Sequence, residues 1–414
     1  MNYEFFIAKR IIGSKTYKSS VSAPIIKIGI TAIAIGMIVM LIAIATGLGL
    51  QKKVREKVVA FNGHINIVNY DSNQSNESLK PISTNQEFYT DFDQISNGNH
   101  IQGVATKFGV IRTETDFEGI VLKGVGDDYD WSQLEDFIVE GRMPNYSKEE
   151  GISNEVLISS YLANRLNLKL GDKFQTVFSK SNIEDLPFQR AFDIVGIFNS
   201  GFQEIDKTFM IGDLGHVQRM NKWEKDEVGN FEVFLKDFSE LEAEDQAIRS
   251  NLPSLLNTQT IEEKYLTTFE WIKIFDNNTY GIIAIMIIVA GINMITALLV
   301  LILERTQMIG ILKSLGSTNW SVRKVFLYNA TYLVGLGLLW GNIIGLALLF
   351  AQQHFGLLSF PDPEQYYVSI IPVYIALDYV LLLNIGTFVA CMLMLLVPSY
   401  IITQISPVKA MRFE

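Results

Sequence analysis

Four stretches of the chain, residues 28–50, 277–303, 325–350 and 379–406, contain no Asp, Glu, Lys or Arg. Each is at least as long as the roughly 20 apolar residues a helix needs to cross a hydrocarbon core about 30 Å thick. The pattern predicts transmembrane helices at 25–50, 277–303, 325–350 and 379–402. Over 51–275 the apolar residues fall instead into short runs separated by turn formers. The expected fold is an integral membrane α-helical bundle of four transmembrane helices. A large α+β extracytoplasmic domain of two lobes is inserted between helices 1 and 2.

Within 51–275 the first span continues as a helix to 61, and Gly63 breaks it into a strand-like run at 64–68. Residues 71–83, rich in Asn and Ser, read as a loop. Runs of β-branched and aromatic residues predict strands at 119–125, 155–158, 173–178, 192–198, 208–211 and 230–235. Helices are expected at 159–166, at 241–252, and at 261–275 leading into the second span. The opening EFFIAKRII sets Phe5, Ala8, Ile11 and Ile12 on one side of a short helix with Lys9 and Arg10 beside it, a pattern suited to a membrane interface.

Charge divides the chain as sharply as hydropathy does. Residues 51–275 hold 37 acidic and 23 basic side chains, so the chain's net charge of −10 resides in this domain. Such acidity excludes nucleic acid as a partner, because its phosphates are repelled. Basic residues in short segments set orientation. Lys9, Arg10, Lys15 and Lys18 precede the first span, Arg305, Lys313, Arg323 and Lys324 follow the second, and Lys409 and Arg412 close the chain. The loop at 351–378 has none. Both termini (1–24 and 403–414) and the loop at 304–324 are therefore expected on the cytoplasmic side. The first apolar stretch exceeds the roughly 7–15 residues of a signal h-region and reads as a retained anchor. The single cysteine, Cys391, lies within the fourth span, so disulfides play no part, and an exported domain without cysteine suits a bacterial envelope.

Small residues recur at four-residue spacing, as Gly337, Gly341 and Gly345 in the third span and as Ala32/Gly36 and Ala43/Gly47 in the first. Such strips let helix backbones approach closely. Asn293, Asn342 and Asn384 are amides placed for interhelical hydrogen bonds. Between the second and third spans, Met308, Ile311, Leu312 and Leu315 fall at i, i+3, i+4 and i+7, one apolar stripe on a short helix. Gly316 ends that helix, and Ser317 or Thr318 can cap the next. A short amphipathic helix among basic residues is a docking element, for lipid or for a groove in a cytoplasmic partner. No G-x-x-x-x-G-K-[ST] sequence occurs, the four histidines are far apart, and no nucleophile–base arrangement stands out, so no enzyme, cofactor or metal site is read in this polypeptide.

The stretch ERTQMIGILKSLG (304–316) before a glycine-rich span, and the ending VPSYIITQISPVKAMRFE, resemble the FtsX-like/MacB-like permease family of ABC transporters. FFIAKRIIGSK, ITAIAIGMIVMLIAIATGLG, GHI at 63–65, NEVLISSYLANRLNLKLGDKF and FDIVGIFNSGFQEIDKTFMI resemble its lipoprotein-releasing subgroup. The resemblance implies a membrane subunit in the bacterial inner membrane, its large domain periplasmic. It would work with a cytoplasmic ABC ATPase dimer that carries ATP and Mg, and with a second permease copy or paralogue. Glu304, Arg305, Met308, Ile311, Leu312 and Leu315 would dock the ATPase. Lipoprotein and a periplasmic carrier are the partners implied outside. The carrier would meet a hairpin at 179–190, between the strands at 173–178 and 192–198, through Ile183, Leu186, Pro187 and Phe188. Two other jobs lie in the same family, an efflux permease driving an outer-membrane duct and a scaffold regulating an envelope hydrolase.

Overall fold

The computed structural model describes residues 3–13, 22–72, 76–90, 98–146, 151–178, 187–361 and 368–405. Among them, four helices are long and apolar enough to cross a membrane: Ile26–Asn62, Leu266–Glu304, Asn319–Phe355 and Leu377–Gln404. The chain divides into two compact units, one of residues 1–52, 271–359 and 370–414, the other of 53–270 and 360–369.

The first unit is the helix bundle. Its buried core joins Ile33, Met37, Met40 and Leu41 of the first span to Met294, Leu298 and Leu301 of the second, Phe326, Val334 and Leu338 of the third, and Leu383, Cys391 and Leu395 of the fourth. The amino-terminal helix, Tyr3–Gly13, is not simply an interfacial helix. Ala8 and Ile11 are buried against Val325 at the start of the third span, and Phe5 sets its ring edge-on to Tyr328 at 5.9 Å. Glu4 accepts a hydrogen bond from Ser321 at 2.8 Å, which fixes the helix from its polar side.

The second unit carries the strands, β1 Ile65–Asn69, β2 Ile82–Ser83, β3 Gly98–Arg112, β4 Phe117–Val125, β5 Ile138–Gly141, β6 Glu155–Ser159, β7 Lys173–Phe178, β8 Phe188–Phe198, β9 Phe209–Asp213, β10 Glu227–Val228, β11 Asn230–Leu235 and β12 Leu256–Thr260. Ten of them form one sheet in the order β12-β1-β11-β3-β4-β9-β6-β8-β5, with β7 bonded to β3 and β8, while β2 and β10 pair separately. The pairing is antiparallel except at β4–β9 and β6–β8. Both sheets lie within this second unit.

Local chemistry sets the element ends. Gly63 stands at φ +69 and stops the first long helix, and a Cβ there would lie 3.1 Å from Glu232 Cβ and 3.2 Å from the Val233 carbonyl. Only glycine meets both demands without strain. Ser159 caps the helix Ser160–Leu166 by accepting from Leu162 N–H. Thr260 and Glu263 form a reciprocal capping box at Ile261–Lys264. Tyr265 interrupts the helix expected over 261–275, and Leu266–Glu304 resumes it.

His64 gives the domain a pH dependence. Its Nδ1 accepts the Leu235 N–H at 3.0 Å, and Phe234 and Phe238 pack on its ring. Burial lowers its pKa from the usual 6.5 to about 4. Between pH 6.5 and 4 the unfolded chain binds a proton that the folded chain does not, so folded-state stability falls as pH drops through that window. The loss should reach roughly 1–3 kcal/mol, with little further change from this group below pH 4. Thermal midpoints of the domain's unfolding measured from pH 7 to 4 check this. His64→Asn should flatten the curve, and an unchanged slope in that variant would assign the dependence to other groups.

Candidate functional site

The helix of the second loop spans Thr306–Ser314 and ends at Gly316, which takes φ +95. Thr318 then caps the third-span helix by accepting from Ser321 N–H at 3.2 Å. The apolar stripe read from spacing does not present a single face. Ile309, Gly310 and Leu312 are buried, and Met308 packs on the bundle core. Ile311 is 46% exposed and Leu315 77%. The outward face is Gln307, Ile311, Ser314 and Leu315, at i, i+4, i+7 and i+8, with Trp320 exposed just beyond the turn. Glu304 is exposed, whereas Arg305 is half-buried. Its Nε and Nη2 are buried without a hydrogen-bond partner among the described residues.

Gly337, Gly341 and Gly345 line the seam between the third and first spans. An added Cβ would lie 2.7 Å from Ile33 Cβ at Gly337, 2.6 Å from Met37 Cβ at Gly341 and 2.9 Å from Leu41 Cδ1 at Gly345. The opposite small residues, Gly36 and Gly47, face Met286 and Thr279 of the second span. The first span is thus held between two neighbours by two separate rows of small residues. Asn342 and Asn384 exchange hydrogen bonds of 2.7 and 3.0 Å and join the third span to the fourth. Asn293 donates to Val289 O of its own helix, so it does not supply the interhelical bond expected of it.

In the outer domain, Ile183 and Leu186 lie outside the described residues. Pro187 is exposed. Phe188 is not on a hairpin tip: it opens β8, pairs with Phe178 of β7 and packs half-buried on the domain core. Among the described residues no group of three His, Cys, Asp or Glu side chains converges to hold a metal ion.

Two features have no local signature. Lys123 and Glu232, 109 residues apart, form an ion pair buried within the sheet at 2.7 Å. At the inner side of the second-loop helix, Lys313 and Arg323 turn back onto the end of the fourth span.

Four spans, an extracytoplasmic α+β domain between the first two, and an amphipathic helix at the second loop define a multi-pass membrane subunit. Residues 280–407 match the FtsX-like permease C-terminal family and residues 28–251 match the MacB-like periplasmic core domain. The chain belongs to the FtsX-like permeases with a MacB-like periplasmic core domain, non-catalytic membrane subunits of ABC transporters. The family implies an ATPase on a separate partner. The chain is 21% identical over 406 residues to the lipoprotein-releasing system transmembrane protein LolC of Xylella fastidiosa strain 9a5c, covering 93% of each. It is 21% identical to the lipoprotein-releasing system transmembrane protein LolE of Haemophilus influenzae, covering 84% of this chain and 82% of the relative. Among solved structures, the periplasmic region of MacB from Actinobacillus actinomycetemcomitans aligns with 51% of this chain and 95% of its own, at 13% identity and TM-score 0.34.

Proposed function

We propose that this chain is a permease that extracts lipoproteins from the bacterial inner membrane and hands them to a periplasmic carrier, driven by a cytoplasmic ATPase dimer. The observation that carries the reading is family membership combined with relatives, named as lipoprotein-releasing proteins, that align over nearly the whole chain. Both termini and the second loop face the cytoplasm, as the distribution of basic residues argues. The ATPase docks on Gln307, Ile311, Ser314 and Leu315, with Glu304 and Arg305 at the entrance. A second copy or a paralogue completes the machine.

Physical cost supports coupling to ATP. Moving an acyl chain out of a bilayer costs about 0.8 kcal/mol per CH₂, so a chain of about 15 methylenes resists release by roughly 12 kcal/mol. A two-state bundle whose states bind the ATPase differently can meet that cost in steps. The test is ATP-dependent transfer of a lipoprotein from proteoliposomes to a soluble fraction containing the carrier, using the permease–ATPase complex. Transfer that needs both ATP and carrier supports the reading. An active complex that moves no lipoprotein, but couples instead to an outer-membrane duct or an envelope hydrolase, removes it while leaving the family intact.

A further inference from the structure

We propose that Lys313 and Arg323 are positioning residues that fasten the second-loop helix and the start of the third span to the inner end of the fourth span, so that the three move as one body. The functional consequence rests on the docking reading above; the fastening itself does not.

The fourth-span helix, Leu377–Ser399, contains Pro398 and is followed by the single turn Ile401–Gln404. A helix end leaves up to four carbonyls without an intrahelical donor, and proline removes another donor nearby. Lys313 and Arg323 supply donors here. Lys313 Nζ donates to Ile402 O at 2.7 Å, to Ile405 O at 2.8 Å and, at 3.4 Å, to Thr403 O. Those three contacts account for all three donors of an ammonium. Arg323 Nη2 donates to Leu396 O at 3.2 Å and to Ser399 Oγ at 3.0 Å, and its Nε donates to the same Oγ at 3.2 Å. Its guanidinium also lies over the rings of Trp320 and Tyr400. Ser399 and Ile402 are fully buried. Positive charge at a helix carboxyl end is favoured by the aligned peptide dipoles. Neither cation makes an ion pair among the described residues, so their contacts here are with carbonyls, a hydroxyl and rings.

Position on the helix gives the fastening its use. Lys313 is two residues from both Ile311 and Leu315, about half a turn around a helix of 3.6 residues per turn. One side of this short helix therefore faces outward while the opposite side grips the fourth span. A push on the outer face reaches the fourth span through three hydrogen bonds rather than through a slipping apolar contact. Lys313→Met keeps the chain length and apolar stem but takes away the ammonium donor from three carbonyls, of which Ile402 O keeps the Ile405 N–H at 3.4 Å. Lys313→Arg keeps a charged donor.

The experiment uses the full chain with and without its ATPase, and compares wild type with Lys313→Met, Lys313→Arg, Arg323→Gln and Ile311→Asp. Amide hydrogen exchange at Tyr400, Thr403 and Ile405, measured on the permease alone, should quicken by about tenfold or more in Lys313→Met and stay near wild type in Lys313→Arg, as loss of charge-assisted hydrogen bonds predicts. Arg323→Gln should quicken exchange at 399–400 first. In the complex, the thiol of Asp378→Cys, at the outer end of the fourth span, should change its accessibility with ATP when Lys313 is present. That change should be lost in Lys313→Met although the ATPase still co-purifies. Unchanged exchange in both Lys313→Met and Arg323→Gln, or a Lys313→Met complex that keeps the ATP-dependent change, overturns the proposal. An ATPase that still co-purifies with Ile311→Asp overturns the docking reading instead, and the exchange results then decide the fastening alone.

Discussion

Gly341→Leu should prevent a stable bundle from forming. The ideal Cβ at this position lies 2.6 Å from Met37 Cβ and 2.9 Å from the Ala34 carbonyl oxygen. One of these contacts is backbone, which no rotamer change relieves. Even Gly341→Ala must push the first and third spans apart. That separation loosens the flanking contacts at Gly337 and Gly345, which lie one turn away on either side. Overpacking of this kind costs about 1–3 kcal/mol for one added group, and a leucine should exceed that range. In lipid, close backbone approach supplies much of the attraction between helices, so little compensates for its loss. Gly335 is the control: it is exposed on the same helix and nothing lies within 4 Å of its Cβ position. Monodispersity and thermal stability in mild detergent should fall steeply for Gly341→Leu and hold for Gly335→Leu. Met37→Ala should partly rescue Gly341→Ala. Wild-type behaviour of Gly341→Leu would mean the seam is not packed as described.

Glu232→Leu should unfold the outer domain near neutral pH, and Lys123→Met should nearly match it. Both charged groups are only 4% exposed, so neither is stabilised by water. Lys123 Nζ donates to both Glu232 oxygens, at 2.7 and 2.8 Å, and to the Phe61 carbonyl at 2.6 Å. Gln102 Nε2 donates to the Glu232 carboxylate at 2.9 Å and receives the Asp130 N–H through its own oxygen. The pair therefore ties β3, β4 and β11 together beneath the end of the first long helix. Removing one member of a buried pair costs about 3–5 kcal/mol, because the other charge is left without a partner. Burial already pulls the Lys123 ammonium below its usual pKa, and Lys264 nearby falls to about 8. In Glu232→Leu the stranded lysine should give up its proton more readily, so that variant should regain stability as pH rises toward 9. Replacing both residues, Lys123→Met with Glu232→Leu, should recover most of the loss. Denaturant unfolding at two pH values measures all three variants. Equal stability of the single and double variants would contradict the assignment.

How much of this was legible in the sequence depends on what each element packs against. The charge-free gaps located all four long helices, because lipid requires an unbroken apolar stretch. The end of the first helix lies beyond its gap and was read instead from Gly63, one residue past the observed end. It continues to Asn62 since Val54, Val58 and Phe61 are buried on it. Strands β7 and β11 fall at the expected residues, bounded by turns and rich in apolar side chains. The longest strand, β3, was not anticipated. Residues 101–105 are buried in succession on both faces, and Gly98, Gly103 and Gly109 interrupt the apolar pattern, so no two-residue alternation survives to be read. In the second loop the helical period was right and the face was not. A stripe spread over i, i+3, i+4 and i+7 looks the same whether it faces the bundle or a partner. Only the packing shows that Met308 and Leu312 turn inward while Ile311 and Leu315 turn outward. Phe188 reads as loop by its neighbours Leu186 and Pro187, yet cross-strand pairing with Phe178 draws it into β8.

The central claim is that this chain transmits ATPase motion through its second loop, and co-purification with the ATPase tests it most directly. Full-length permease in mild detergent should carry a P-loop ATPase in comparable amount and hydrolyse ATP. Ile311→Asp combined with Leu315→Asp should abolish both properties while the permease stays monodisperse, because only the exposed face has changed. Equal ATPase recovery with the double variant, or none with the wild type, would contradict the account.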